Sequence, residues 1–206
     1  MVPEKQRKIA KLLSLAVIVG GMLAVAGWMF DIPILTSLSP QWRSMRLITA
    51  FGFVLSGITV YFIILAVEGK FNEAQVILSM TSFTLVLLMG VSSFANVLGL
   101  SGVEDLFIKG ADAQERTAIL GRPSMLAILN FMLIVCAAIM VMWRAGNLQP
   151  KLRTIGVIIA VIGAIATLGY IINVPVLYPF TQGQGSAMAC NTAVLFVLLG
   201  TGLLCL

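Results

Sequence analysis

Met45-Arg46-Leu47-Ile48-Thr49-Ala50-Phe51-Gly52-Phe53-Val54-Leu55-Ser56-Gly57 returns later in the chain as Met188-Ala189-Cys190-Asn191-Thr192-Ala193-Val194-Leu195-Phe196-Val197-Leu198-Leu199-Gly200, with Met, Thr, Ala, Phe, Val, Leu and Gly at identical offsets. A second block precedes each copy. Gly27-Trp28-Met29-Phe30-Asp31-Ile32-Pro33-Ile34-Leu35 is echoed by Gly169-Tyr170-Ile171-Ile172-Asn173-Val174-Pro175-Val176-Leu177. The shift is 143 residues for the first pair, counted from Met45 to Met188, and 142 for the second, from Gly27 to Gly169. Two blocks displaced by nearly one distance indicate a duplicated unit, and a repeat defines architecture before any single residue does.

Between the two copies lies a more diverged third. Ala95-Asn96-Val97-Leu98-Gly99-Leu100 occupies the place of the Gly27 block, and Gly121-Arg122-Pro123-Ser124-Met125-Leu126-Ala127-Ile128-Leu129-Asn130-Phe131-Met132-Leu133 that of the Met45 block. The chain therefore reads as three tandem units, over residues 12–68, 75–144 and 153–206, within one membrane domain spanning 1–206.

Sixty per cent of the residues are hydrophobic, 10% are charged, and the mean hydropathy is +1.06. A soluble domain of this length has too little interior for so much apolar surface. Charges gather in short patches, with apolar runs of membrane-crossing length between them. Six spans are expected, at 12–30, 47–67, 75–98, 124–143, 154–172 and 188–206. Each holds about twenty residues, enough to cross a hydrocarbon core of about 30 Å. The fold class is therefore all-α, a polytopic membrane protein. Each unit carries two spans, so its copies share one orientation and can be arranged as three hairpins around a pseudo-threefold axis along the membrane normal. The first span is too long for a secretory leader and lacks a small-residue cleavage site before Trp28.

With the N-terminus inside, the inner segments hold Lys5, Arg7, Lys8, Lys11, Lys70, Arg144, Lys151 and Arg153 against Glu4, Glu68 and Glu73, a net +5. The outer segments balance to zero, so both termini are expected in the cytoplasm. The basic excess suits anionic lipid rather than nucleic acid, because no basic patch is interleaved with aromatics. The longest outer connection, Leu100 to Pro123, contains Val103-Glu104-Asp105-Leu106-Phe107-Ile108, which reads either as a short amphipathic helix or as an ordered loop.

The chain contains no histidine, which excludes imidazole-ligated haem, the usual zinc and copper sites and histidine-based triads. Cys136, Cys190 and Cys205 all fall within expected spans, as small packing residues rather than a disulfide framework. The spans carry no buried Asp, Glu, Lys or Arg of the kind ion-coupled carriers use. Neither an enzyme nor a cofactor is expected.

Most polar residues in the spans, such as Ser56, Thr59, Thr81, Ser82 and Thr84, suit helix–helix contacts or hydroxyls bonded back to their own helix. Gly52-xxx-Ser56 and Gly156-xxx-Ala160 are small-residue packing faces. Near the outer leaflet a belt of Arg46, Thr49, Asn96, Arg122, Asn130, Tyr170, Asn191 and Thr192 forms a candidate ligand site. Thr49 shares a helix face with Phe53, and Thr192 with Phe196, each pair being four residues apart. Arg46 and Arg122 suit an anionic group; alternatively they snorkel to the interface, with Trp28 and Tyr170 in the aromatic belt. Lipid, quinone or pigment all fit walls of this composition.

The blocks Gly-Trp-Met-Phe-Asp-Ile-Pro-Ile-Leu (27–35), Gly-Arg-Pro-Ser-Met (121–125) and Met-x-x-Asn-Thr-Ala-x-x-Phe-x-Leu-x-Gly (188–200) resemble the N-terminal multi-span membrane region of bacterial and archaeal sensor proteins that carry PAS, histidine-kinase or diguanylate-cyclase modules. The family-like Asn-Thr-Ala is kept at Asn191-Thr192-Ala193 and is Ile48-Thr49-Ala50 and Leu126-Ala127-Ile128 in the other units. The resemblance implies a membrane-embedded, non-catalytic input domain for signal transduction, oligomeric and joined to a cytoplasmic output module. The apolar end, Leu203-Leu204-Cys205-Leu206, fits a helix that continues toward such a module. The other expectation is a small accessory subunit held among other subunits of a membrane complex.

Overall fold

The computed structural model describes residues 3–30, 32–37, 44–98, 123–172 and 188–206, with side chains omitted for 95–98. These residues form seven helices and no strand: α1 (Glu4–Met29), α2 (Pro33–Thr36), α3 (Leu47–Val67), α4 (Phe71–Leu98), α5 (Met125–Met142), α6 (Leu148–Ile172) and α7 (Cys190–Leu204). Five of them, α1, α3, α4, α5 and α6, are long and apolar enough to cross a membrane. The sixth expected span, 188–206, is helical over 15 residues only. That is about 22 Å at 1.5 Å per residue, short of a core of about 30 Å. Its first two residues are not helical, and the Met188 carbonyl there accepts a hydrogen bond from the Tyr170 hydroxyl at 2.6 Å. The segment Val103–Ile108 lies outside the described residues.

The helices divide into an inner and an outer set. Half of the apolar window of α3 and of α5 is buried, against 28% for α1 and 33% for both α4 and α6. On the outer set the exposed residues are large and apolar: Leu12, Val19 and Met22 on α1, Met80, Phe83 and Leu87 on α4, and Val161, Ile165 and Leu168 on α6. Exposed apolar surface on this scale is unfavourable in water and neutral against lipid tails. The chain is an integral helical membrane protein.

Consecutive long helices run antiparallel. The Lys11 ammonium meets Glu68 at 2.7 Å, which pins the start of α1 to the end of α3. A Cβ on Gly202 would lie 3.8 Å from the Ala10 carbonyl oxygen, so the last turn of α7 lies beside the first turns of α1. The α3–α4 turn is closed by Gly69 at φ +98°, a left-handed conformation that costs glycine little. Arg144 (φ 47°) and Asn147 (φ 54°) make the corresponding bend between α5 and α6.

The first and last hairpins share one set of contacts. A Cβ on Gly21 of α1 would lie 3.0 Å from both the Ala50 oxygen and the Val54 nitrogen; on Gly163 of α6 it would lie 2.7 Å from the Ala193 oxygen and 3.0 Å from the Val197 nitrogen. A Cβ on Gly57 would meet Ser14 O at 3.0 Å and Ile18 N at 3.1 Å, and one on Gly200 would meet Gly156 O at 2.6 Å and Ala160 N at 2.5 Å. Every residue in these pairs is displaced by the 142 or 143 residues of the sequence repeat. The hydrogen bonds correspond as well: Trp28 Nε1 donates to the Met45 carbonyl at 2.8 Å, as Tyr170 does to Met188. The Gly156-xxx-Ala160 face expected from the sequence packs against α7, and Gly52 packs against the side chains of Met89 of α4 and Phe131 of α5.

Thr59, Thr81, Thr84, Ser92 and Thr167 each bond back to a carbonyl one turn earlier, as expected, whereas the buried hydroxyls of Ser56 and Ser82 have no hydrogen-bond partner among the described residues. The Thr59 and Thr81 hydroxyl oxygens also lie 2.9 Å apart, bringing α3 against α4.

Candidate functional site

The three inner helices begin alike. Arg46, Ser124 and Ala189 precede α3, α5 and α7 with extended backbones, at φ/ψ of −79°/149°, −64°/148° and −67°/150°. Extended geometry at that position lets the first carbonyl join the helix while the chain enters from the side. Ser124 additionally accepts the Ala127 N–H at 3.2 Å, a side-chain cap for α5.

One turn further in stand Thr49, Ala127 and Thr192, all buried. Two turns in stand Phe53, Phe131 and Phe196, each seven residues after its helix-start residue and each fully buried. Their rings meet in a near-equilateral triangle, with centroids 5.1, 4.6 and 5.0 Å apart and tilted or edge-on contacts. Such geometry adds about 0.5–1.5 kcal/mol per pair beyond the area buried.

Above the triangle is a small polar cup, lined by Ser44, Arg46, Thr49, Ser124, Met188 and Thr192. It has room for about 10 Å³, which accepts about one water and nothing larger. The cup sits at the end of the bundle marked by Trp28 and Tyr170, opposite Lys11 and Glu68.

The structure thus brings together three residues of the expected belt, Arg46, Thr49 and Thr192. Tyr170 supports the cup wall through Met188 without lining it. Asn191 faces elsewhere: its side-chain amide donates at 3.3 Å to the Thr36 carbonyl, which also accepts the Met45 N–H at 2.8 Å. It therefore ties α7 to the connection inside the first hairpin. Asn130 is fully buried below the cup, and neither its amide nitrogen nor its oxygen has a hydrogen-bond partner among the described residues. Arg122 and the side chain of Asn96 lie outside the described residues.

Ser124, Ser44 and Met188 were not among the expected site residues, and Phe131 was not recognised as the third ring. The seven-residue spacing from Ser124 to Phe131, matching Arg46 to Phe53 and Ala189 to Phe196, is the sequence signal for both.

Among the described residues, no group of His, Cys, Asp or Glu could hold a metal ion. Against known proteins, the chain matches no family model, no curated protein and no solved structure.

Proposed function

We propose that the chain is the membrane-embedded input domain of a signal-transduction protein, non-catalytic by itself, in which three hairpins related by a pseudo-threefold axis meet at the phenylalanine triangle. The observation that carries this reading is the small polar cup at the similar starts of α3, α5 and α7. Two hairpins with the same internal contacts, and a third that supplies a phenylalanine at the matching position, support the threefold relation.

A cup with room for one water has a mechanical consequence. A lipid headgroup or small amphiphile enters only if the three helix starts part. It therefore binds an opened packing better than the closed one, and that difference in affinity is what shifts a two-state population. Arg46 supplies a cation for an anionic group, and Thr49 and Thr192 supply hydroxyls. The triangle below couples the three inner helices, so opening the cup displaces all of them, α7 included. With the +5 end inside, the cup faces the outer leaflet and α7 leads toward the cytoplasm, where an output module would read its position.

Cys190 provides the test. It is buried (5% exposed) and is the first residue of α7. In proteoliposomes, with Cys136 and Cys205 replaced by Ala, Cys190 is alkylated slowly. An anionic lysolipid, a fatty acid or a ubiquinone added from outside accelerates the reaction, and Arg46→Gln or Thr192→Val blunts the response to the active compound. A rate indifferent to all three compounds overturns the reading.

A further inference from the structure

The opposite end of the bundle carries a second concavity made of different residues. It is an open cleft of about 360 Å³ between the α3–α4 and α5–α6 turns, walled by Ala66, Phe71, Val141, Ala145 and Leu148, with Arg144 as its only charged lining residue. That volume lies within the range of small-molecule sites, unlike the cup. The Arg144 guanidinium carbon sits 4.3 Å from the centre of the Phe71 ring. A guanidinium held by its carbon over a ring still has a fork of N–H donors to offer a bidentate anion. Among the described residues the ion pairs are Glu4–Lys8 and Lys11–Glu68, so no carboxylate occupies that fork.

The surroundings specify the anion's source. Trp143, next to Arg144, is 82% exposed, as suits an aromatic anchor at a membrane interface. Lys70, Lys151 and Arg153 are exposed on the elements flanking the cleft, at the end that holds eight basic and three acidic residues. Free phosphate would satisfy Arg144 alone. A phospholipid also covers the apolar walls, with its tail running along the exposed helix faces.

We propose that this cleft binds an anionic phospholipid of the cytoplasmic leaflet, its phosphate on the Arg144 fork and its first acyl carbons against Phe71, Val141 and Leu148. One lipid would then bridge the two turns that bound the second hairpin.

The test is lipid retention by native mass spectrometry, with the protein extracted from phosphatidylcholine nanodiscs containing a minority of phosphatidylglycerol. The wild type retains phosphatidylglycerol in preference to phosphatidylcholine. Arg144→Gln weakens that retention about fivefold, the change expected for one basic residue at a charged surface, while Lys151→Gln, outside the cleft, changes it less. Leu148→Glu places a like charge on the cleft wall and abolishes the preference. That second variant leaves Arg144 and its stacking in place. Inorganic phosphate, added to pure phosphatidylcholine discs, neither raises thermal stability nor competes. Equal retention by wild type and Arg144→Gln overturns the proposal, as does retention without headgroup preference; stabilisation by phosphate alone reassigns the fork to a soluble anion.

Discussion

Gly200→Ala is the sharpest single perturbation of this packing. The new methyl carbon would sit 2.5 Å from the Ala160 nitrogen, 2.6 Å from the Gly156 oxygen and 2.8 Å from the Ala160 α-carbon. All three are backbone atoms of α6, so no rotamer change relieves the contact. Ordinary contact needs about 3.5 Å, so α6 and α7 must separate by nearly 1 Å, and a gap of that size forfeits about a quarter to a half of each dispersion contact along the crossing. Overpacking costs about 1–3 kcal/mol. Against this, alanine is the better helix former by about 1 kcal/mol. Because all three contacts are with backbone, the upper part of the overpacking range, about 2–3 kcal/mol, applies, and the net expectation is a loss of about 1–2 kcal/mol. Gly57→Ala, the equivalent change in the first hairpin, should cost less. There the closest atom is the movable Ile18 Cγ1 at 2.6 Å, and the backbone atoms stand at 3.0 and 3.1 Å. Gly90→Ala is the control, since nothing lies within 4 Å of its added carbon, and it should stabilise by up to about 1 kcal/mol. Steric-trapping measurements of unfolding in bicelles give the three values directly. A neutral or stabilised Gly200→Ala, or the order reversed between Gly200 and Gly57, would refute the backbone-to-backbone crossing.

Three further outcomes follow from the same structure. Asn130→Leu should stabilise the protein by about 1–3 kcal/mol in the same assay, because it removes a fully buried amide without a partner; a loss of stability would mean the amide has found one. Phe196→Ala should cost about 2 kcal/mol, taken as a cavity of about 100 Å³ at 24 cal/mol per Å³ with little transfer term in lipid, and a cost below that of an exposed Phe83→Ala would remove the triangle from the core. Trp28→Phe and Tyr170→Phe should each lose about 0.5–1.5 kcal/mol, the value of one hydrogen bond, and effects differing by more than that range would contradict their equivalence.

The two copies sharing Met-x-x-x-Thr-Ala were legible as a repeat because their shared letters are contact residues. Gly21, Gly57, Gly163 and Gly200 are where backbones cross, and the Phe53 and Phe196 rings meet at the triangle. The intervening stretch was hard to read as a third copy because only one part of it matches the other two. Phe131 fills the third corner, while its neighbour Asn130 stands where the other copies have Gly52 and Leu195. Arg46, Thr49 and Thr192 of the candidate belt line the cup, and helical geometry turns their neighbours away from it. Adjacent residues on a helix point about 100° apart, so Asn191 and Thr192 cannot both face the cup, and the same holds for Asn130 and Phe131. Choosing between them needed the ring positions. The left-handed backbone of Arg144, in a bend otherwise marked by Gly146 and Asn147, had no sequence signal of its own, and neither did the short α7, which begins beside the Tyr170–Met188 hydrogen bond, 18 residues apart in sequence.

The most direct test of the central claim is a distance. Phe51, Leu129 and Val194 occupy equivalent, exposed positions near the cup, two residues before each ring. Spin labels placed pairwise there, in a background with the native cysteines replaced and the protein in nanodiscs, report the separation of the three inner helices by double electron–electron resonance. Three similar distances are expected at rest, all lengthening together when the amphiphile that exposes Cys190 is added. Three clearly unequal resting distances would contradict the threefold arrangement, and distances unmoved by that amphiphile would contradict an input domain that works by opening its cup.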